Sequence, residues 1–414
     1  KSNTISALMK NWGLIRSRSS VDPFNGAASL ETDFNSYDME GAGVDIIMVD
    51  SGVEPGHPEL QVNSDGTGGS RVIDFNWASL GVTGCPTSSA IGGYLGDGDG
   101  HGTNCASIAA GNTCGWASKA NIYSIRIFGG TGIKTGATLG AINSDIAFDL
   151  VRAFHLKKIQ DGITRPTVCS NSWGYYASYS GMQYTVWRGQ QYNITQADPT
   201  YGQVYYYHPY HVNYITTSVE NAAAAGVIFV GAAGNYRHKI DIPGGQDYDN
   251  YWYDGIEQVH YHQGSSPTNA PSFITVGALD NSTTVEQKAY FSETGPRVDI
   301  YSPGVMIMGA YANKPYVTVP VADPRASGYY LNKISGTSQA TPNVAGVVAC
   351  LLSARPKATV SQVKQWLIDN SVKNSLNEGL TTDYANLEYL QEGHNRILLR
   401  TVDKTSLRGW MTSS

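Results

Sequence analysis

The hydrophobic positions of the chain alternate between short apolar runs and longer amphipathic stretches. The short runs are apolar at consecutive positions, as expected for strands buried on both faces of a parallel sheet. Because strand and helix patterns follow one another, we predict an α/β fold with a central parallel sheet flanked by helices and right-handed crossovers. The predicted strands cover residues 44–49, 122–127, 167–172, 227–231 and 273–276, and the predicted helices cover 102–110, 139–157, 212–225, 338–353 and 360–370.

Two Tyr-rich segments, residues 175–211 and 236–271, interrupt this pattern and show little periodicity. We interpret them as long inserted loops, which either carry function or only decorate the surface. Together with a C-terminal extension at about residues 372–414, they are predicted to belong to one domain that covers residues 1–414.

The composition, with 41% hydrophobic and 15% charged residues, is that of a folded globular protein. A net charge of -6 and the lack of a basic run argue against nucleic acid as a partner. No apolar run is long enough for a membrane span. Residues 1–11 lack the apolar core of a signal peptide, so we expect either a processed chain or one that is not secreted by that route.

The five cysteines fall into two groups. Cys105, Cys169 and Cys350 lie in apolar segments, where a small buried thiol is the ordinary interpretation. Cys85 and Cys114 lie in Gly-rich sequence, and a disulfide, if there is one, is predicted between these two.

Three short segments place reactive side chains where an α/β protein has its active site. Asp50 ends an apolar strand, and so lies at the carboxyl edge of the sheet. His101 stands between two glycines at the start of a predicted helix, which lets its imidazole approach another backbone. Ser338 begins a long apolar helix, where unpaired N–H groups and the helix dipole favour an oxyanion. Each segment taken alone also has a structural interpretation, as a turn, a packed histidine or a helix cap.

Taken in the order Asp, His, Ser, these segments resemble the subtilisin-like serine proteases, or subtilases. The resemblance rests on Asp-Ser-Gly at residues 50–52, Gly-His-Gly-Thr at 100–103 and Gly-Thr-Ser-Gln-Ala-Thr-Pro-Asn-Val-Ala-Gly at 336–346, with further matches at 12–14 and 230–235. Gln339 and Asn343 stand where the family usually has Met and His, and Asn104 stands where it often has His. None of these departures removes a reacting group.

The resemblance implies a three-layer subtilisin-like fold and a serine endopeptidase that works through an acyl-enzyme. Ser338 would be the nucleophile, His101 the general base and Asp50 the residue that orients the imidazole. The Ser338 N–H and the Asn235 side-chain amide would hold the oxyanion. The alternative is a catalytically inactive binding or structural protein of the same fold.

The resemblance also implies how substrate binds. Two edges, Ser172, Trp173, Gly174 and Ala232, Ala233, Gly234, would pair with the substrate backbone. The pocket for the substrate residue before the cleaved bond, P1, would have its base near Gly264, Ser265 and Ser266, with Tyr236 at its rim. Because none of these residues is charged, we predict a large neutral or apolar P1 residue, unless a long loop adds a carboxylate.

The remaining expectations concern cofactors, partners and Cys105. No cofactor is required for the chemistry, and a structural calcium ion is left open at Glu59 or at the Asp-rich segments 97–99 and 241–249, which also fit solvated turns. Protein or peptide substrates, an inhibitory pro-segment, a monomer and a secreted or extracellular location follow from the resemblance. Cys105 is placed one helical turn after His101, beneath the imidazole, where proteinase K-like subtilases also have Cys.

Overall fold

The computed structural model describes residues 11–18, 39–178, 182–193, 207–282, 285–311, 321–377 and 390–400. Helices and strands alternate through most of this length. The helices are α1 (Trp12–Arg16), α2 (His101–Ala110), α3 (Ala147–Gln160), α4 (Asn213–Ala224), α5 (Thr337–Ala354) and α6 (Val360–Asp369). The strands are β1 (Asp45–Asp50), β2 (Gly52–Val53), β3 (Gly96–Asp97), β4 (Asn121–Arg126), β5 (Gly130–Thr131), β6 (Thr138–Leu139), β7 (Thr167–Asn171), β8 (Tyr176–Ser178), β9 (Tyr184–Trp187), β10 (Gln190–Asn193), β11 (Tyr207–Pro209), β12 (Ile228–Ala232), β13 (Tyr251–Tyr253), β14 (Gln258–Val259), β15 (Ile274–Leu279), β16 (Ile300–Pro303), β17 (Ile307–Tyr311), β18 (Val321–Ala322), β19 (Tyr330–Ile334), β20 (Val372–Lys373) and β21 (Arg396–Ile397).

The main sheet has eight strands in the order β20-β21-β16-β15-β12-β7-β1-β4. Neighbouring strands run parallel, except that β20 pairs antiparallel with β21. Each of the five predicted strands corresponds to one of these strands, so the parallel sheet read from the apolar runs is confirmed.

The sheet lies between two helical layers. Side chains that alternate along a strand point to opposite faces of the sheet, so each strand can pack against both layers. Ile46 and Met48 of β1 pack with residues of α2, α5 and α6 on one face. Ile47 and Val49 pack on the other face with residues of α3 and α4. Burying a side chain of this size contributes roughly 1.5–3 kcal/mol relative to leaving it exposed. The three-layer α/β fold is therefore present as predicted.

One predicted helix begins later than its apolar pattern suggested. The stretch predicted as helix from residue 139 enters α3 only at Ala147. Leu139 instead pairs with Gly130 in the β5–β6 ladder. The Asn143 side chain then accepts a hydrogen bond from the Asp145 N–H, which starts a short 3₁₀ turn before the helix. A local cap thus fixes the start of the helix, which periodicity alone could not do.

The two Tyr-rich inserts are not plain loops. Strands β8 and β11 of the first insert form an antiparallel pair. Strands β9 and β10 of the first insert join β13 and β14 of the second in a four-stranded sheet of order β10-β9-β13-β14. The prediction of long irregular loops is wrong here, because strands of two to four residues are too short to show a periodic pattern.

The described part of the C-terminal extension contributes β20 and β21 to the main sheet, with β21 parallel to β16. The last residues of the predicted extension, 401–414, lie outside the described residues. Among the helices that the structure describes, none is both long and apolar enough to cross a membrane.

The predicted disulfide between Cys85 and Cys114 is absent, and no disulfide joins any of the five cysteines, all of which are described. Half-buried Cys85 packs against the cluster on the α3 face of the sheet. Cys114 is buried in a separate cluster with Met308 and Leu331. The two thiols belong to different packing units, which explains why the pairing is wrong.

Candidate active site

Asp50 and His101 form an ion pair at the carboxyl edge of the main sheet. Asp50 is the last residue of β1 and only 1% exposed, whereas the His101 side chain, at the first position of α2, is 30% exposed. Oδ1 of Asp50 lies 2.8 Å from Nδ1 of His101 and also accepts a hydrogen bond from the Ser51 N–H at 2.7 Å. This contact fixes the imidazole through Nδ1, so that Nε2 is left for the exposed side.

The Asp50 carboxylate changes how readily His101 takes up a proton. Burial disfavours the charged imidazole, but the neighbouring charge and hydrogen bond of Asp50 outweigh it, and the pKa of His101 is raised well above its ordinary value. An imidazole in this position is therefore a stronger base than a free histidine. It would accept a proton from a hydroxyl and hold it as a stabilised imidazolium.

The glycines around His101 are required by the packing. A Cβ atom added at Gly102 would lie 2.1 Å from the carbonyl oxygen of Gly52, so only glycine allows α2 to approach β2 this closely. Gly100 caps the helix with a φ of 101°, a left-handed conformation that favours glycine. The close backbone approach predicted from the two flanking glycines is confirmed.

The buried carboxylate of Asp97, one of the candidate calcium ligands, ties these segments together. Asp97 accepts hydrogen bonds from the Ser51 hydroxyl at 2.9 Å, from the Gly100 N–H at 2.8 Å, and from both the N–H and the hydroxyl of Thr103. The Ser51 hydroxyl oxygen also accepts from the Gly102 N–H at 2.9 Å. Ser51 and Asp97 thus set the distance between Asp50 and His101. Only a weak signal for this role is present in the sequence, a Ser next to Asp50 and an Asp at the start of the His101 loop.

Ser338 occupies the second position of α5, where the first N–H groups of a helix have no partner within the helix. Its hydroxyl donates to the carbonyl oxygen of Ser172 at 3.0 Å, and the Ser172 hydroxyl donates back to the carbonyl oxygen of Ser338 at 2.9 Å. This reciprocal pair joins the start of α5 to the end of β7. Ser172 also lines, with Asp50 and His101, a cleft of about 610 Å³.

Cys105 lies between the histidine and the serine, as its spacing predicted. Its sulfur is 3.9 Å from Nδ1 of His101 and 3.4 Å from the carbonyl oxygen of Ser338. Burial raises the pKa of the thiol, so Cys105 is held as a neutral group. It is in contact with both triad segments and is too buried to act as a nucleophile itself.

Asn235 lies three residues after β12, next to the start of α5. Its side-chain oxygen accepts hydrogen bonds from the N–H and the hydroxyl of Thr337, each at 2.9 Å. These two bonds fix the orientation of the amide and turn Nδ2 away from Thr337. A Cβ atom added at Gly336 would lie 3.6 Å from that nitrogen, which places the amide donor beside the serine segment.

The predicted substrate edge Ala232, Ala233, Gly234 uses part of its backbone for hydrogen bonds within the protein. In the segment Ala232, Ala233, Gly234, the Ala233 N–H donates to Val276 at 2.9 Å, and the Gly234 N–H donates to the Thr337 hydroxyl at 3.2 Å. The Gly234 carbonyl accepts from the Glu293 N–H. Because these backbone groups bond within the protein, they are not available to pair with a substrate strand, and this segment is called the wall below.

The pairing of Ser172, Trp173 and Gly174 with substrate stays a prediction. The cleft that Ser172 lines is also lined by strand β5, which could pair with the other side of the substrate. Besides Asp50, His101 and Ser172, the cleft is lined by Phe128, Gly129 and the β5 residues Gly130 and Thr131. The sequence did not point to this segment, although the paired glycines after β4 were a signal for close approach of another backbone.

The carboxylates considered for calcium do not fit a calcium site, because they already have partners within the protein. The buried Glu59 carboxylate bonds to the Arg325 guanidinium at 2.6 Å and to Thr113. Asp247 bonds to Lys239 at 2.8 Å and to Arg188 at 2.7 Å. Two further buried carboxylates of these segments are Asp97, held by the donors described above, and Asp241, which accepts from the N–H groups of Ile242 and Asp247 and lies 3.6 Å from the Lys239 nitrogen. Glu59, Asp97, Asp241 and Asp247 are all buried and so are not solvated turns, whereas the exposed Asp99 and Asp249 fit that alternative.

Comparison with known proteins agrees with this geometry. The model of the subtilase family matches residues 41–391. "Subtilisin-like protease 2" of Pseudogymnoascus destructans is 29% identical over 83% of the chain, and "Subtilisin-like serine protease pepC" of Aspergillus niger is 27% identical over 84%. The chain spans 62% and 50% of the length of these two relatives.

Solved structures with the same fold include a cold-adapted subtilisin-like serine proteinase, with a TM-score of 0.58 at 21% identity, covering 95% of this chain and 100% of that one. Sphericase gives a TM-score of 0.55 at 19% identity, covering 94% and 98% of the two chains. At this identity the likeness shows the fold. The family match extends over most of the chain and includes Asp50, His101, Asn235 and Ser338. The chain belongs to the subtilase family.

Proposed function

We propose that the protein is a serine endopeptidase in which Asp50, His101 and Ser338 form the catalytic triad. The observation that carries the proposal is the Asp50–His101 pair, 2.8 Å long and anchored at a sheet edge, with Cys105 in contact with both the imidazole and the Ser338 segment. The family and the names of the relatives agree with a peptidase, and we extend that activity to this chain as part of the proposal.

In the first half of the reaction, the Ser338 oxygen attacks the carbonyl carbon of the peptide bond, and its proton passes to Nε2 of His101. The hydroxyl, which bonds to Ser172 in the free protein, must turn toward the imidazole for this step. The oxyanion is held by the Ser338 N–H and by Nδ2 of Asn235. When the C–N bond breaks, the imidazolium gives its proton to the leaving amine, and the acyl group remains on Ser338.

In the second half, water attacks the acyl carbon while His101 takes a proton from it. The C–O bond to Ser338 breaks, the imidazolium returns its proton to the serine oxygen, and the carboxylic acid product leaves. Asp50 keeps its negative charge throughout and stabilises the imidazolium in both halves. No step needs a metal or an organic cofactor.

The finer expectations about substrate belong to this proposal. The substrate backbone would lie between Ser172–Gly174 and Gly130–Thr131 and add a strand to each, which gives affinity without strict sequence choice. The predicted P1 preference for neutral residues follows from the uncharged lining of the pocket, and the size of the P1 residue is treated separately below. Secretion, a pro-segment and a monomeric state remain expectations from the family resemblance.

A fluorophosphonate probe tests the proposal against the alternative of an inactive binding protein. Such probes react covalently with an activated serine and do not react with an ordinary hydroxyl. We expect labelling of the folded chain, mapped to Ser338 by peptide mass spectrometry, and no labelling of the Ser338→Ala variant or of heat-denatured protein. A folded wild type that resists the probe and cleaves no denatured protein would overturn the proposal.

A further inference from the structure

The ring of Tyr176 lies in the space that the P1 pocket was predicted to occupy. A Cβ atom added at Gly174 would be 3.3 Å from Cε2 of Tyr176, and one added at Gly234 would be 2.0 Å from the Tyr176 hydroxyl oxygen. Gly174 belongs to the predicted substrate edge and Gly234 to the wall opposite. The tyrosine therefore extends from one side of the predicted pocket to the other.

Tyr176 also meets the predicted base and rim of the pocket. The Ser265 hydroxyl would lie 2.5 Å from a Cβ atom at Gly174, and Cε2 of Tyr176 would lie 3.3 Å from the same atom. The ring of Tyr236, at the rim, is 4.8 Å from the ring of Tyr176. Two residues of the predicted substrate edges, Gly174 and Gly234, and two of the predicted pocket, Ser265 and Tyr236, thus lie around this one side chain.

A buried carboxyl group anchors this side chain. The Tyr176 hydroxyl donates to Oε1 of Glu293 at 3.0 Å, and Glu293 is 0% exposed. Burial raises the pKa of Glu293 and the pKa of the Tyr176 hydroxyl well above their ordinary values. Within the described residues, Oε2 of Glu293 is buried without a hydrogen-bond partner. Removing Tyr176 from this place would leave both oxygens of a buried carboxyl without a side-chain donor, which is costly.

The backbone holds Tyr176 as firmly as the side chain does. Tyr176 is the first residue of β8 and pairs with Pro209 of β11. The preceding residue, Tyr175, donates its N–H to Ser266 at 2.8 Å and accepts from the Tyr210 N–H at 3.0 Å. A P1 side chain that needed this space would have to disrupt the hydrogen bond to Glu293 and shift a strand that is paired with β11.

We propose that Tyr176, anchored by Glu293, fills the P1 pocket and restricts the protease to small uncharged P1 residues such as Ala, Ser or Gly. The proposal rests on the endopeptidase function proposed above and names its substrate class. It also revises the predicted size of the P1 residue from large to small, while the predicted neutral character is kept. Tyr176 is a specificity-determining residue and takes no part in the bond-breaking steps.

The test measures kcat/KM of the full chain on peptides that differ only at P1, with Ala, Leu, Phe or Lys at that position. We expect wild type to cleave the Ala peptide at least about tenfold more efficiently than the Phe peptide, a ratio that pocket size alone can give. The Tyr176→Ala variant is expected to reverse this order, because the vacated space accepts Leu and Phe. Tyr176→Phe keeps the ring and is expected to keep the preference for Ala.

Glu293 supplies a second, independent readout. In Tyr176→Ala its carboxyl becomes reachable, so the Lys peptide is expected to become a substrate. The double variant Tyr176→Ala/Glu293→Gln is expected to lose the Lys peptide and to keep the Phe peptide, because the space remains and the charge does not. Tyr184→Ala, which removes another tyrosine of the same insert from the four-stranded sheet, serves as the matched control with an unchanged P1 profile.

The outcomes separate this proposal from the one on which it rests. A wild type that cleaves the Phe or Leu peptide better than the Ala peptide overturns the role of Tyr176 and leaves the peptidase function standing. No cleavage of any peptide, together with no fluorophosphonate labelling, overturns the peptidase function instead. A melting temperature is measured for each variant, and if Tyr176→Ala does not fold, the wild-type and Tyr176→Phe profiles still decide between small and large P1 residues.

Discussion

The proposed catalytic framework and the proposed P1 pocket of this protein are built in different ways. Asp50, His101 and Ser338 lie on elements of the main sheet and its helices. Hydrogen bonds of the neighbouring residues tie these elements together: Ser51 bonds to Asp97 and to Gly102, and Thr337 bonds to Asn235. The pocket, by contrast, is assembled from separate segments around Tyr176, which comes from an insert. We conclude that bond cleavage and substrate choice are separable here, so that a change in one region is expected to leave the other intact.

The largest effect is expected from Ser338→Ala, which removes the nucleophile from the framework. The loss of kcat should be on the order of 10⁶-fold, a magnitude typical of enzymes with this catalytic arrangement. Only one hydroxyl at a helix start is lost, so the melting temperature should change little. Activity is measured with the P1-Ala peptide. Large residual turnover would mean that another nucleophile is at work.

Arg325→Ala, at a site remote from the pocket, is expected to lower stability strongly and to leave substrate choice unchanged. Arg325→Ala removes the cation from buried Glu59, and breaking a buried pair in this way costs about 3–5 kcal/mol in free energy of unfolding. Burial would raise the pKa of Glu59, but Arg325 and Thr113 outweigh it, and the pKa is lowered to about 2. The stabilisation is therefore present above the ordinary pKa of Glu59 and is lost as the pH falls toward 2.

Urea unfolding of wild type and Arg325→Ala at several pH values measures this difference. The gap in free energy should be widest near pH 7 and should shrink through the acidic range. The exposed pair Lys157–Asp161 offers a matched control, since Lys157→Ala should cost well under about 1 kcal/mol. An equal cost for the two variants would contradict the role of burial.

Asn235→Ala is expected to slow the chemistry without changing the P1 profile. It removes a donor from the developing oxyanion, and the loss of such a donor typically costs about 10²–10³-fold in kcat. KM should change little, because the amide acts mainly on the transition state. The P1 peptide series is the measurement, and a shift in preference from Ala to Phe would show that framework and pocket are not separable.

The pH dependence of kcat/KM reports on His101. The imidazole must be neutral to accept the Ser338 proton, so kcat/KM should rise with pH through a pKa that lies above the ordinary histidine value because of Asp50. We expect about a tenfold rise per pH unit below that pKa. Asp50→Asn should move the inflection to lower pH. A rate that is independent of pH between about 5 and 9 would contradict the assignment of His101 as base.

The difference between the two regions also explains what could be predicted from the sequence. Asp50, His101 and Ser338 can be predicted because each stands in a local motif next to a strong apolar pattern, at the end of a strand or at the start of a helix. Tyr176 cannot, because its position depends on a two-strand pairing within an insert and on Glu293, which is 117 residues away in the chain. The bonds of Ala233 and Gly234 within the protein cannot be predicted from the sequence for the same reason, since their hydrogen-bond partners are distant in the chain.

The smallest intrinsic effect is expected from Cys105→Ala, which exchanges one buried small side chain for another. The sulfur lies against both His101 and Ser338 but takes no part in the reaction, so untreated activity should stay close to wild type. A mercurial bound to this sulfur would push on the imidazole, and should inhibit wild type while sparing the variant. Because Cys105 is 0% exposed, inhibition is expected to be slow. Half-buried Cys85 is the more accessible thiol, and Cys85→Ser should remain as sensitive as wild type. If Cys105→Ala is inhibited as strongly as wild type, the sensitive group lies elsewhere, and the contact beneath His101 does not control the base.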